Sequence, residues 1–188
     1  MTTAVGLLLA AGAGTRMGRP KALVAGDDGE PWLRRAARAL HDGGCAEVAV
    51  VVGAEAGRAA DLLTGLPWAR AVAAPRWEEG LSASLAAGLA ALEATPATAA
   101  VVLLVDTPDV GPDVVARVLA RSGDGAAALG RAAYGGVPGH PVVLGRDHWA
   151  GAAGTATGDR GARDYLAGRP VTVVECGDLA TGADVDAR

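Results

Sequence analysis

The residues best suited to chemistry lie in segment 5–21, which reads VGLLLAAGAGTRMGRPK. An apolar stretch with the length of a buried strand leads into a loop with three glycines, Gly12, Gly14 and Gly18. Glycines let a ligand approach the backbone closely, and Arg16 and Lys21 add two cations with no carboxylate among them. A strand that opens into such a loop is typical of a phosphate-binding site.

Neither of the common glycine motifs matches this loop. The dinucleotide fingerprint G-x-G-x-x-G opens a helix, whereas here the spacing is G-x-G-x-x-x-G and Pro20 disfavours a helix. The P-loop motif is absent because Lys21 is followed by Ala22 rather than Ser or Thr. On the glycines alone, a tight turn with two solvated cations remains an equal alternative.

The elements that must position this loop alternate between strand and helix. Periodicity predicts helices at 31–40, 55–63, 81–92 and 112–121, and strands at 47–53, 69–73, 99–105, 126–129 and 171–175. A glycine-rich turn over residues 134–141 leads into a further strand, then a short helix near 147–149, and another helix runs from 158 to about 167. This order predicts an α/β protein, a doubly wound three-layer α/β/α sandwich with a Rossmann-like, mostly parallel sheet. A length of 188 residues suits one domain spanning 1–188.

A carboxylate follows the most hydrophobic segment, at Asp106-Thr107-Pro108. Because ligands bind beyond the carboxyl ends of the strands in such sheets, Asp106 is expected to face the ligand. Mg²⁺ on substrate phosphates needs only one or two protein carboxylates, so Asp106 is predicted to bind Mg²⁺, with Mn²⁺ as the alternative. A capping or turn role is the other interpretation, and Asp109 and Asp113 are predicted to cap the following helix.

Polar residues near other predicted strand ends are further candidates. Ser82 and Ser84 lie where the helix after the third strand begins, and capping is the simplest role for both. The segment 158–163 offers backbone N–H groups and Arg160 and Arg163 to an anionic substrate, although a salt bridge from Asp159 is the alternative. His140, in Gly139-His140-Pro141, is equally a turn residue or a site residue.

The full string LAAG-x-G-x-RMG-x-x-K resembles the N-terminal signature of the molybdenum cofactor cytidylyltransferase-like (MocA/MobA-like) NTP transferases. Four further segments are similar to motifs of that family: W-x-x-G-L-S-x-S-L, Asp106-Thr107-Pro108 (D-M-P in the family), Gly139-His140-Pro141 and GDRGAR at 158–163. The final TGADVDAR resembles the family's D-I-D-T-P segment. The resemblance implies a fold of the nucleotide-diphospho-sugar transferase type.

The resemblance also implies a role for each matching residue. The nucleotide would be bound by Leu9, Ala10, Ala11, Gly12, Gly14, Arg16, Lys21, Gly80, Leu81, Ser82 and Asp106, with Arg16, Lys21 and Asp106 catalytic. Asp106 and Asp186 would bind the metal, Asp184 being the alternative to Asp186, and His140, Arg160 and Arg163 would lie on the acceptor side.

The reaction implied is Mg²⁺-dependent transfer of CMP from CTP to the phosphate of molybdenum-bound molybdopterin, with release of pyrophosphate. The product would serve a client molybdenum hydroxylase. In the family LAAG accompanies CTP and LAGG accompanies GTP, and the Ala11 methyl group would narrow the base pocket against a purine. Guanylyl or sugar-phosphate transfer, an NAD(P)H-dependent oxidoreductase using Glu55 for the ribose, and a non-catalytic nucleotide-binding protein stay open.

Composition narrows the remaining classes. Seventeen basic and 21 acidic residues give a net charge of -4, which argues against a nucleic-acid partner. No apolar run has the length of a membrane span and no signal pattern is present, so a cytoplasmic location is expected. Cys45 and Cys176 are predicted to be two buried thiols rather than a disulfide or a metal site.

Overall fold

A computed structural model describes residues 3–185, apart from the Arg16 side chain. The predictions for that side chain and for Asp186 therefore lie outside the described residues. The strands are β1 Ala4–Leu9, β2 Glu47–Val52, β3 Ala69–Ala73, β4 Ala99–Leu104, β5 Leu129–Tyr134, β6 Val137–Gly145 and β7 Thr172–Glu175. The helices are α1 Trp32–Asp42, α2 Ala56–Asp61, α3 Leu81–Glu93, α4 Pro112–Ser122, α5 Trp149–Thr155 and α6 Arg163–Leu166. Short 3₁₀ turns form at Thr15–Met17, Lys21–Leu23, Trp77–Glu79, Arg146–His148 and Gly158–Arg160.

All seven strands belong to one sheet, in the order β3-β2-β1-β4-β6-β5-β7. β1 lies between β2 and β4 and runs parallel to both, so the loop after β1 emerges beside the end of β4. β6 is antiparallel to β4 and to β5, which makes the sheet mostly but not wholly parallel. The predicted sheet type is confirmed.

Helices cover both faces of the sheet, because β1, β2 and β4 are apolar on both sides. Leu8, Val50 and Val101 pack on the face that carries α1 and α4. Leu7 and Val102 pack on the opposite face, against α3 and α5. This arrangement confirms the three-layer sandwich.

The predicted strand at 126–129 is wrong, since β5 begins at Leu129 and runs to Tyr134. The predicted turn over 134–141 shrinks to Gly135 and Gly136, whose φ angles of 58° and 80° suit a two-residue hairpin. The two prolines of β6 misled the prediction. β4 pairs with β6 only from Val142 onward, so most of the N-terminal half of β6 needs no ladder bonds on that side.

The helix expected from 158 to 167 is interrupted. Gly161 has a φ of 53°, which separates the 3₁₀ turn Gly158–Arg160 from α6. Neither Asp109 nor Asp113 caps α4, because Gly111 is the N-cap residue and no side chain bonds to that end. Those two predictions are wrong.

Replacing Gly88 in α3 with alanine is expected to lower the free energy of unfolding by about 1 kcal/mol or more. A Cβ atom there would lie 2.6 Å from Leu7 Cδ1 and 2.9 Å from Val51 Cγ2, both in the packed core, and this overlap outweighs the better helix propensity of alanine. Urea denaturation measures the change. Gly154→Ala in α5 is the matched control, since nothing lies within 4 Å of its Cβ position. Equal stability changes in the two variants would contradict the packing argument.

Candidate active site

One cavity of about 670 Å³ opens beyond the carboxyl ends of β1 and β4. Its walls come from the loop after β1, the start of α3, the end of β4, the β5–β6 pair, the segment 158–163 and the C-terminal tail. Residues predicted for the site that line the cavity are Leu9, Ala10, Ala11, Gly12, Gly14, Lys21, Gly80, Leu81, Asp106, His140, Arg160 and Arg163. The structure thus brings together segments as far apart in sequence as Leu9 and Asp184.

The loop after β1 is held by backbone bonds rather than by its side chains. The Ala10 amide donates to the Val51 carbonyl at 2.9 Å, and the Ala11 carbonyl accepts from the Ala54 amide at 3.0 Å. Gly14 has a φ of 59°, and a Cβ atom there would lie 2.0 Å from the Arg19 carbonyl oxygen. Gly12 has open space where a side chain would be, so its backbone can be approached directly by a ligand.

Lys21 and Asp106 form an ion pair at the floor of this loop. Lys21 Nζ lies 2.8 Å from Asp106 Oδ2, and the two side chains are 16% and 20% exposed. The 3₁₀ turn that follows Pro20 positions Lys21, and the end of β4 positions Asp106. A cation and a carboxylate are therefore held side by side where a bound phosphate would need both a positive charge and a metal ligand.

The second oxygen of Asp106 fits a metal ion. Asp106 Oδ1 is buried and has no hydrogen-bond partner among the residues that the structure describes. A buried carboxylate oxygen without a partner is costly, and a divalent cation would remove that cost. The chemistry of this donor suits Mg²⁺ or Mn²⁺, which prefer carboxylate oxygens. No group of three or more potential metal ligands occurs within residues 3–185, so a metal here would also rely on substrate oxygens.

The C-terminal tail lies beside Asp106. The Val185 amide donates to the Asp106 backbone carbonyl at 2.9 Å, and Asp184 lines the cavity. Asp109, rather than capping α4, accepts from the Thr181 amide and hydroxyl at 2.6 Å each. These bonds hold the tail beside Asp106, where an additional carboxylate from the tail is available to the site.

The start of α3 forms the wall opposite the loop. Gly80 has a φ of 102°, and a Cβ atom there would lie 2.6 Å from Asp159 Oδ1, so the helix end touches the segment 158–163. Ser84 lines the cavity, whereas Ser82, which was predicted to contact the nucleotide, does not. Neither caps the helix, and the buried Ser82 hydroxyl has no hydrogen-bond partner within the described part of the chain. Trp77 lines the rim, where its ring packs on Gly53.

The far end of the cavity is cationic and contains His140 in β6. Burial lowers the pKa of His140 to about 4, Arg131 and Arg163 lower it as well, and Asp106 opposes them. The imidazole is therefore neutral at pH 7. Arg131 is a site residue that the sequence analysis missed, because the predicted strand ended at Leu129. An arginine inside the otherwise apolar string ALGRAAY was the signal that could have identified it.

Arg160 and Asp159 do not pair with each other. Arg160 bonds to Asp164 at 2.6 Å, and Asp159 Oδ1 accepts from the Leu81 amide at 3.3 Å. The predicted alternative, a salt bridge from Asp159 within this segment, therefore does not form with Arg160. Asp159 instead joins the segment to α3.

The sequence matches the family described as "MobA-like NTP transferase domain" over residues 6–173. The chain belongs to the MobA-like NTP transferase family. Members of this family transfer nucleotides, and the chain is accordingly a nucleotidyltransferase by family, fold and cavity position. The predicted family and enzyme class are confirmed.

One curated relative and two solved structures are similar to the chain over nearly its whole length. A curated relative, nicotine blue oxidoreductase of Paenarthrobacter nicotinovorans, is 38% identical over 191 residues, covering 96% of this chain and 91% of the relative. The crystal structure of Rv0371c from Mycobacterium tuberculosis has a TM-score of 0.76 at 27% identity and covers 99% of this chain and 94% of its own. A nucleotidyl transferase from Methanothermobacter has a TM-score of 0.81 at 21% identity, with 100% and 93% covered.

Other features of the MobA-like chain lie away from the cavity. Cys45 and Cys176 are both buried and free, as predicted. Within residues 3–185, the longest helix has 13 residues, and none is long and apolar enough to cross a membrane.

Acidification is expected to destabilise the protein through His140. Because its folded-state pKa of about 4 lies below the usual 6.5, the unfolded chain takes up the proton first as the pH falls. The titration of His140 leaves the free energy of unfolding unchanged above pH 6.5. Between pH 6.5 and 4 it lowers that free energy by up to about 3 kcal/mol. Urea denaturation from pH 7 to 4 in metal-free buffer should show a shallower loss in His140→Gln than in wild type. Parallel curves would contradict this assignment.

Proposed function

We propose that this protein transfers CMP from CTP to the phosphate of molybdenum-bound molybdopterin and releases pyrophosphate. The observation that carries the proposal is the Lys21–Asp106 pair at the floor of the glycine loop, with Asp106 Oδ1 buried and without a partner among the described residues. Hydride transfer from NAD(P)H does not by itself require a metal-binding carboxylate beside a phosphate-binding lysine. A nucleotidyltransferase needs both, because it brings two polyanions together.

The proposed transfer joins an oxygen of the acceptor phosphate to the α-phosphorus of CTP. The bond between the α-phosphorus and the bridging oxygen breaks, and pyrophosphate leaves with that electron pair. The attacking phosphate is already anionic at neutral pH, so the reaction requires no catalytic base. This agrees with a neutral His140, which would orient rather than deprotonate the acceptor.

The chain's own contribution is to bind and align the reactants. The open space beside Gly12 would let the triphosphate approach backbone N–H groups, and Lys21 would add positive charge beside it. Asp106 would hold the divalent ion, together with a tail carboxylate, Asp184 or Asp186. When bound, that ion would neutralise charge on the phosphates and the leaving group.

The choice of CTP over GTP rests on Ala11. Ala11 lines the cavity and is only 4% exposed. Its side chain packs in the core. Because this part of the wall is packed in the core, it is expected to stay in place when a nucleotide binds. Molybdopterin as acceptor, a molybdenum hydroxylase as client and a cytoplasmic location follow from the resemblance of the motifs and stay predictions.

A second candidate is an NAD(P)H-dependent oxidoreductase, favoured by the name of the 38% identical relative. Dinucleotide binding would require an acid after β2 to hold the ribose, and Glu55 is that acid. Glu55 is exposed, pairs with Arg58 at 2.5 Å and does not line the cavity. The geometry therefore favours the transferase.

The deciding experiment measures pyrophosphate release and NADPH oxidation on the same preparation. CTP and GTP are each tested with Mg²⁺ and molybdenum-loaded molybdopterin, with sugar phosphates as alternative acceptors. Pyrophosphate release with CTP and molybdopterin supports the proposal, and preference for GTP or a sugar phosphate changes the substrate but keeps the reaction. Oxidation of NADPH coupled to reduction of an added dye, without pyrophosphate release from any substrate pair, would overturn it.

A binding measurement is possible because Lys21 is the only lysine of the chain. An amine-selective acylating reagent can modify Lys21 and the N-terminal amine, and the N-terminus serves as the internal reference. Mg²⁺-CTP is expected to protect Lys21 selectively. Protection by NADPH and not by CTP would favour the oxidoreductase.

A further inference from the structure

Arg131 occupies a position where the sheet would normally carry an apolar side chain. It lies in β5 opposite Val142 of β6, on the face where Leu129 and Val142 pack in the core. The residue lines the cavity and is only partly exposed. A charged side chain in such a position costs desolvation free energy unless something pairs with it.

Within the described residues, the guanidinium of Arg131 is poorly paired. Its Nε is buried and has no hydrogen-bond partner there, and no described carboxylate forms a salt bridge with Arg131. Arg163 lines the same cavity. Burial, and then the positive charge of Arg163, lower the pKa of Arg131. Since arginine nevertheless stays protonated at neutral pH, the fold holds two positive charges together at this end of the cavity.

The chemistry of these two side chains selects an anion. Guanidinium groups bind phosphate and carboxylate through paired N–H donors, and two of them together match a dianion better than a monoanion. Arg131, Arg163 and Asp106 line the same cavity, so the two cations and the proposed metal ligand belong to one site. An anion bound by the arginines would therefore face the reacting end of the nucleotide.

We propose that Arg131, together with Arg163, binds the phosphate dianion of the acceptor. This inference rests on the proposed transferase function and adds Arg131 as a substrate-binding residue. It assigns the lysine end of the cavity to the triphosphate and the arginine end to the acceptor.

Inorganic phosphate is the probe, because it carries the proposed chemistry without the rest of the acceptor. It is titrated into Lys21→Met, which removes one of the two cations assigned to the triphosphate end, and the rise in the unfolding midpoint yields the affinity. Adding Arg131→Met to this background is expected to weaken phosphate binding about 10–100-fold, the usual loss when a charge-assisted bond is removed. Arg163→Met should cause a similar loss, and it tests the site even if Arg131→Met fails to fold.

Controls separate this site from general charge effects. Arg121→Met removes an exposed cation of α4 outside the cavity and should leave phosphate affinity unchanged. Acetate at matched ionic strength should bind at least about tenfold more weakly than phosphate, since it neutralises one cation only. Unchanged phosphate affinity in both the Arg131→Met and Arg163→Met variants, or equal affinity for acetate, would overturn the proposal.

The outcome is independent of the nucleotide assays. Loss of phosphate binding in the two arginine variants without any CTP turnover would keep the anion site and reject the transferase. CTP turnover with unchanged phosphate affinity in these variants would keep the transferase and reject the arginine site.

Discussion

Asp106→Asn is expected to lower the rate of Mg²⁺-dependent pyrophosphate release about 100-fold or more. The substitution keeps the size of the side chain but removes the charge, and an amide in place of Oδ1 or Oδ2 is a poor ligand for a divalent ion. The rate is measured by coupled detection of pyrophosphate at saturating CTP, over a range of Mg²⁺ concentrations. Removing the metal with a chelator should reduce the wild-type rate to the level of the variant.

Asp113→Asn provides the matched control. Asp113 is exposed in the first turn of α4, seven residues after Asp106, and does not line the cavity. Its variant should stay within about twofold of wild type, as expected for an exposed site outside the cavity. A variant Asp106→Asn that folds and keeps its rate and Mg²⁺ dependence would show that this carboxylate does not hold the catalytic metal.

Lys21→Met should also lower the rate about 100-fold or more, because methionine has a similar length and no charge. Two effects combine in this loss. The triphosphate loses a cation beside it, and Asp106 loses the partner that lies 2.8 Å from its Oδ2. Lys21→Arg is not expected to restore the rate fully, since a planar guanidinium differs from an ammonium in size and donor geometry.

A double-mutant cycle separates the two effects of Lys21. If Lys21 acts mainly by positioning Asp106, the double variant Lys21→Met/Asp106→Asn will be no slower than Asp106→Asn alone. If Lys21 binds the triphosphate directly, the losses will be nearly additive and the affinity for CTP will fall as well. Arg121→Met controls for the loss of one positive charge. A full rate in Lys21→Met would refute both roles.

Much of the nucleotide end could be predicted from local sequence. A buried strand, three glycines and a lysine lie within 17 residues, so their relative positions depend on short-range geometry. Asp106 was likewise predictable, because a carboxylate directly after a buried parallel strand must face the carboxyl edge of the sheet. The structure places both in one cavity, although their catalytic roles remain predictions.

The acceptor end was less predictable, because it depends on an antiparallel strand pair. The prolines and glycines of 134–141 favoured a turn, whereas Pro138 and Pro141 lie in β6, mostly beyond its ladder with β4. The strand predicted next to it ended too early in the sequence, so Arg131 was not considered as a site residue. Local preference for a turn gave way to pairing with β5, which only the folded sheet provides.

The sequence by itself determined the family, the alternating α/β order, and the residues able to bind a nucleotide and a metal, because each depends on neighbours within a few turns of the chain. Only the tertiary structure decided which groups meet across long separations. Lys21 pairs with Asp106, the tail bonds to Asp106 through Val185, and Arg131 and Arg163 line the same cavity. These arrangements follow from the order of the strands and from the path of the tail. Hydrophobic burial of the whole sheet determines both, and no local sequence pattern predicts them.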